Sequence, residues 1–220
     1  MKIIVKKHFL FFVTNSILIS IGCLTLLFRI KETQEIYLLF LIWNVFLASI
    51  PFIITILLEK VTYLQSNKIY FTAIFLIWLL FLPNSFYIIT DFIHLNKSTQ
   101  TTIWLDIIIM FTFSLSGLTF GYYSLFQMKK ILLKKLDSYI ASFSIIIILF
   151  LCGIGVYLGR YLRWNSWDII QQPLQLCYDI TALIIHPYSH IQAWKTMSLF
   201  SLFFSGLYYL IHFISLKNKT

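Results

Sequence analysis

The chain has 220 residues, of which 60% are hydrophobic and only 11% charged, with a formal net charge of +9. That is too apolar for an ordinary soluble domain. The positive charge does not mark a nucleic-acid binder, because Lys and Arg sit mostly at the ends of apolar runs and no basic soluble module is present. An anionic lipid surface is the better electrostatic partner.

The apolar runs are long enough to cross a bilayer, which takes about 20 residues each. Lipid offers no partner for backbone polar groups, so such spans must be helices. The sequence therefore predicts an all-α membrane protein, a single polytopic domain over 1–220 built as a six-helix transmembrane bundle. The N-terminal Lys-rich stretch and the apolar run after it resemble a signal peptide. The run is long, however, and Arg29-Ile-Lys-Glu follows it instead of a small-residue cleavage site, so a retained helix is expected.

The first helix is predicted at about 9–28 and the second at about 36–58, with Asn44 and Pro51 inside it. The third covers about 69–90 and carries Pro83 and Asn84 where a span would normally run undisturbed. Pro51 is expected to kink its helix, since it lacks an N–H and its ring crowds the preceding turn. The fourth covers about 103–127, the fifth about 139–162 and the sixth about 197–216. Between the last two, residues 173–186 are apolar but too short to span. Pro173 suits a first helical position and Pro187 marks an end, so a short interfacial helix is expected there. On it Leu176, Ile180 and Leu183 share one face, and Gln172, Gln175, Asp179 and His186 another.

With the N-terminus inside, 11 of the 17 basic residues fall in inner segments and 6 in outer ones, which favours cytoplasmic termini. The expected location is a multi-pass cell membrane, with the Lys129, Lys130, Lys134, Lys135 cluster against anionic inner-leaflet lipid. Asp91 and His94 then emerge on the outer face, as do Asp106 and the stretch Arg160 to Asp168. Polar residues that spans avoid collect at one end, which is the reason to expect a site there.

Asp91 and His94, three apart, share a helical face and suit proton handling. Asp106 opens the fourth helix beside them. Arg160, Arg163, Trp164 and Trp167 fall at i, i+3, i+4 and i+7, one helical stripe. A guanidinium there can grip a phosphate or carboxylate with two parallel hydrogen bonds. Asp91, Asp106 or Asp168 would supply a counter-charge. The competing reading is an Arg–Trp interfacial anchor. No cofactor is expected. A metal at Asp91, His94, His186 and His190 is disfavoured because Pro187 interrupts the His-x-x-x-His spacing. Cys23, Cys152 and Cys177 lack ligand spacing. Gly117 with Gly121, and Gly155 with Gly159, are spaced for close helix packing.

Two stretches, Pro83 to Leu95 and Gly155 to Asp168, together with Trp104-Leu-Asp106, resemble the signatures of the bacterial membrane family called Domain of Unknown Function 1361. Ser85-Phe86 stands where that family more often has a small residue and proline. The resemblance implies an integral membrane protein of bacterial type and supplies no activity. The motif residues it implies are Pro83, Asn84, Tyr87, Asp91, His94, Trp104, Asp106, Gly159, Arg160, Arg163, Trp164, Asn165 and Asp168. Three functions remain open: a lipid- or anionic-substrate-handling protein, catalytic or not, with its site at the outer face; a non-catalytic subunit or assembly factor; and a small solute or proton-coupled transporter. In the first, Asp91, His94 and Asp106 would do the chemistry. Arg160, Arg163, Trp164, Asn165, Asp168, Asn84 and Tyr87 would hold the substrate.

Overall fold

The structure, a computed structural model, describes residues 2–217, with side chains described for 8–215 and for 217. Most of the described residues are helical and none forms a strand. In order they are α1 (Lys2–Thr33), a 3₁₀ turn (Tyr37–Leu39), α2 (Phe40–Lys60), α3 (Thr62–Ser66), α4 (Lys68–Tyr87), a 3₁₀ segment (Ile88–Lys97), α5 (Ile103–Leu132), α6 (Ser138–Tyr161), α7 (Asp168–Gln171), α8 (Pro173–Ile185) and α9 (Ile191–Lys217). Among the described residues, six helical stretches are long and apolar enough to cross a membrane: 8–33, 37–60, 68–97, 103–132, 138–161 and 191–215. Each of the first five contains its predicted span or matches it to within a residue or two. The last begins six residues before its predicted start.

The chain divides into two compact units, Met1–Ile131 and Leu132–Thr220. In the first, α1, α2, α4 and α5 pack up and down. Leu26, Leu41, Ala48, Phe52, Ile88 and Phe113 are all buried in one core. Phe11, Phe52, Phe120 and Tyr123 pack their rings together, with centroids 4.0–5.8 Å apart. The α4–α5 approach is close at two glycines. A Cβ on Gly117 would sit 3.0 Å from the Ser85 carbonyl oxygen, and one on Gly121 would sit 2.8 Å from Ser85 Cβ. Ser85 also donates to the Ala48 carbonyl oxygen at 2.7 Å, tying α4 to α2. Asn67 caps α4, its side chain accepting from the Ile69 and Tyr70 N–H groups.

Pro83 does not end its helix. The α-helical winding runs on to Tyr87 and then tightens into ten residues of 3₁₀ helix. A 3₁₀ run that long is uncommon, because its hydrogen bonds are poorly aligned. Three residues per turn stack Ile88, Asp91, His94 and Lys97 on one line. Ile88 and Asp91 are buried, His94 is half-buried and Lys97 exposed, so that line leads out of the protein.

In the second unit α6 and α9 are antiparallel. Ile154, Tyr157 and Leu158 of α6 pack on Leu183, Ala193 and Met197. Gly153, which the expected glycine spacing did not single out, makes the close approach possible. A Cβ there would lie 2.7 Å from the Met197 carbonyl oxygen and against the Ser201 hydroxyl. Around Gly206 there is nothing within 4 Å of an added Cβ. Replacing Gly153 by Ala is expected to force the two helices apart, at a cost of about 1–3 kcal/mol. Thermal unfolding of purified protein should show a lowered midpoint for Gly153→Ala and none for Gly206→Ala, which gains helix propensity.

Candidate functional site

Spans avoid charge because lipid cannot solvate it. The first unit nevertheless buries two opposite charges together at one end. Arg29, on the last turns of α1, is 1% exposed, and Asp106, on the first turn of α5, is 0% exposed. Arg29 Nε donates to Asp106 Oδ1 at 2.5 Å. The other guanidinium nitrogens reach the Thr33 hydroxyl, the Glu35 carbonyl oxygen and the Glu35 carboxylate at 3.2–3.3 Å. The second Asp106 oxygen accepts from the Ser98 hydroxyl at 2.6 Å and the Tyr37 hydroxyl at 3.4 Å. The Arg29 guanidinium carbon also lies 4.5 Å from the centre of the Tyr37 ring. Charge is thereby neutralised and the lone pairs are occupied, which is the condition for keeping ions out of water.

Asp91 lies at the same end of this unit. Its Oδ2 accepts from Asn44 Nδ2 at 2.8 Å, which joins the 3₁₀ segment to α2. His94 packs edge-on against Phe40, with ring centroids 5.0 Å apart. Asn84 Nδ2 donates to the Phe81 carbonyl oxygen. Tyr87 is half-buried, its carbonyl oxygen accepting from the Thr90 hydroxyl.

The opposite end of the first unit has its own polar knot, which the sequence reading did not anticipate. His8 is buried and hydrogen-bonded through Nδ1 to the Tyr123 hydroxyl and through Nε2 to Glu59 at 2.9 Å. Gln127 donates to the same Glu59 oxygen at 2.9 Å. These contacts join the start of α1 to the ends of α2 and α5.

In the second unit the expected Arg–Trp helical stripe does not form. The helix stops at Tyr161 and Arg163 adopts a left-handed backbone, with φ 60°. Two local interactions explain the stop. The Trp164 N–H returns to the Leu158 carbonyl oxygen at 3.1 Å, and Asp168 Oδ2 takes the Asn165 N–H at 2.6 Å and its amide at 3.1 Å. Helices often end on such a left-handed residue, usually glycine. Trp164 Nε1 donates to Asp179 Oδ2 at 2.9 Å, fastening this loop to α8. Asp168 is buried and Arg160 half-buried, while Arg163 is exposed. No described carboxylate pairs with Arg163.

His186 ends α8 and His190 precedes α9, so the two do not share one helix. Among the described residues no three His, Cys, Asp or Glu side chains gather as a metal site. Cys23, Cys152 and Cys177 are free thiols.

The buried pair yields a direct prediction. Arg29→Ala strands the Asp106 carboxylate and should cost about 3–5 kcal/mol, whereas replacing both residues by Leu should recover most of that. Thermal midpoints of Arg29→Leu, Asp106→Leu and the double Leu variant measure the coupling. Additive losses would show that the pair does not act as a unit.

Comparison with known proteins finds no matching curated protein and no matching solved structure. A family model described as "Protein of unknown function (DUF1361)" matches residues 43–211. That range contains Asp91, His94, Asp106, Arg160 and Arg163, and the chain belongs to the DUF1361 family.

Proposed function

We propose that this multi-pass membrane protein binds an anionic group through the loop that closes α6, at the outer membrane face. The observation that carries this reading is Arg163. It is an exposed guanidinium with no described carboxylate partner, held where glycine would be the easier residue. Strain of this kind is kept where a side chain has a use. The loop around it is fixed by Asp168 on one side and Asp179 on the other. A loop fixed in this way loses little backbone freedom when its arginine grips a phosphate or carboxylate. Arg160, Trp164 and Asn165 flank it. The distribution of lysines supports an outward-facing loop.

The first unit contributes differently in this reading. Arg29 and Asp106 satisfy each other, and the Asn44–Asp91 bond holds the 3₁₀ segment in place. These groups are ties that hold the fold, with His94 on the same line as Asp91.

Substituting Arg163 by Gly separates the two roles. Backbone strain is relieved, so stability should rise by about 1 kcal/mol. Binding of an anionic ligand should weaken, since a charge-assisted contact contributes about 1.5–3 kcal/mol. Thermal unfolding and phosphatidylglycerol binding, measured on the same preparations, test both. Unchanged binding in Arg163→Gly contradicts the proposal.

A further inference from the structure

Helix α8 was expected to carry one apolar and one polar face. The structure keeps both faces and adds a second apolar one. Leu183 is buried and Leu176 and Ile180 half-buried on the side packed within the unit. The outward side carries Ile170 of α7 and then Leu174, Tyr178 and Ile185 at helical spacing. Leu174 is 85% exposed and Tyr178 69%. No charged side chain lies on this stripe. The only acidic groups of α7 and α8 are used internally, Asp168 on Asn165 and Asp179 on Trp164 and Gln175.

Three observations say what covers the stripe. A helix of 13 residues is about 20 Å long, against a hydrocarbon layer of about 30 Å. It joins the end of α6 to the start of α9, and these helices are antiparallel, so both its ends lie at one membrane face. The Trp164–Asp179 bond also places the arginine-bearing loop directly against α8, next to Tyr178 in sequence. Arg163, which has no described acidic partner, thus lies on a loop tied to the helix that carries the uncharged apolar stripe. Together they fit an amphiphile, with its anionic part on the loop and its tail on the helix.

We propose that the ligand is an anionic lipid whose acyl chains lie along Ile170, Leu174, Tyr178 and Ile185 while its head group meets Arg163. This rests on the anion-binding reading above and specifies its substrate class. The stripe, not the arginine, would distinguish a lipid from a free phosphate ester.

The test uses the full chain in neutral detergent, with binding read by native mass spectrometry. The probes are phosphatidylglycerol and its deacylated counterpart, glycerophosphoglycerol. The double variant Leu174→Ser/Tyr178→Ser is expected to bind phosphatidylglycerol about tenfold more weakly and glycerophosphoglycerol as the wild type does. Arg163→Gly should weaken both. Phosphatidylglycerol binding unchanged in the stripe variant but weakened in Arg163→Gly overturns the acyl-chain inference and leaves the anion reading standing. No change in Arg163→Gly for either probe overturns the anion reading itself. A chain-length series on the wild type needs no variant. Affinity should rise from six- to fourteen-carbon chains, and a flat response contradicts the inference.

Discussion

A charge that enters a lipid-spanning helix must bring its counter-charge with it, and the Arg29–Asp106 pair meets that constraint in the first unit. Two buried ions at 2.5 Å, with Ser98, Tyr37, Thr33 and Glu35 occupying the remaining hydrogen-bonding positions, join the end of α1 to the start of α5. At the other end His8, Glu59, Tyr123 and Gln127 do the same for the opposite termini of these helices. Between them the contact is apolar and aromatic. Hydrocarbon solvates Leu and Phe as well as a neighbouring helix does, so apolar packing alone fixes little in a membrane. The polar ties at both ends therefore set register, and glycines at the α4–α5 contact set distance.

The second unit uses a different arrangement. Its α6–α9 contact relies on Gly153 and on Ser201, whose hydroxyl donates to its own helix at Met197 and across to Phe150. Arg160, Arg163, Asp168 and Asp179 belong to the end of α6 and the segment that follows it. Asp168 and Asp179 are consumed in shaping the loop, and Arg163 on that loop has no described acidic partner. A charge used for structure and a charge offered to a ligand can thus be told apart by asking which one is already neutralised.

Much of the fold was legible in the sequence because span length and charge placement are dictated by the bilayer. The six spans, the short helix starting at Pro173 and the polar character of the Asp91–Asp106 region follow from those two rules. The ionic partner of Asp106 was not legible. Arg29 reads as a flanking charge if α1 stops at Phe28, but the helix runs on to Thr33 and draws Arg29 inside. The one available signal was an acidic residue opening the fourth helix at the same expected end as an outlying arginine. His8 was missed for a similar reason, since it sits among lysines that read as a terminal flank. The Arg–Trp stripe was misjudged because helical spacing was continued past Leu162. There a carboxylate six residues on, Asp168, competes for the backbone and turns the chain. Local side-chain competition of that kind is invisible to a periodicity argument.

The distinction between neutralised and available charge is open to direct observation. A high-resolution experimental structure of the protein in phosphatidylglycerol nanodiscs would show where lipid phosphates settle. The account predicts a phosphate against the Arg163 guanidinium, with Arg29 still bonded to Asp106. A bare Arg163, or a phosphate that has drawn Arg29 away from Asp106, would contradict it.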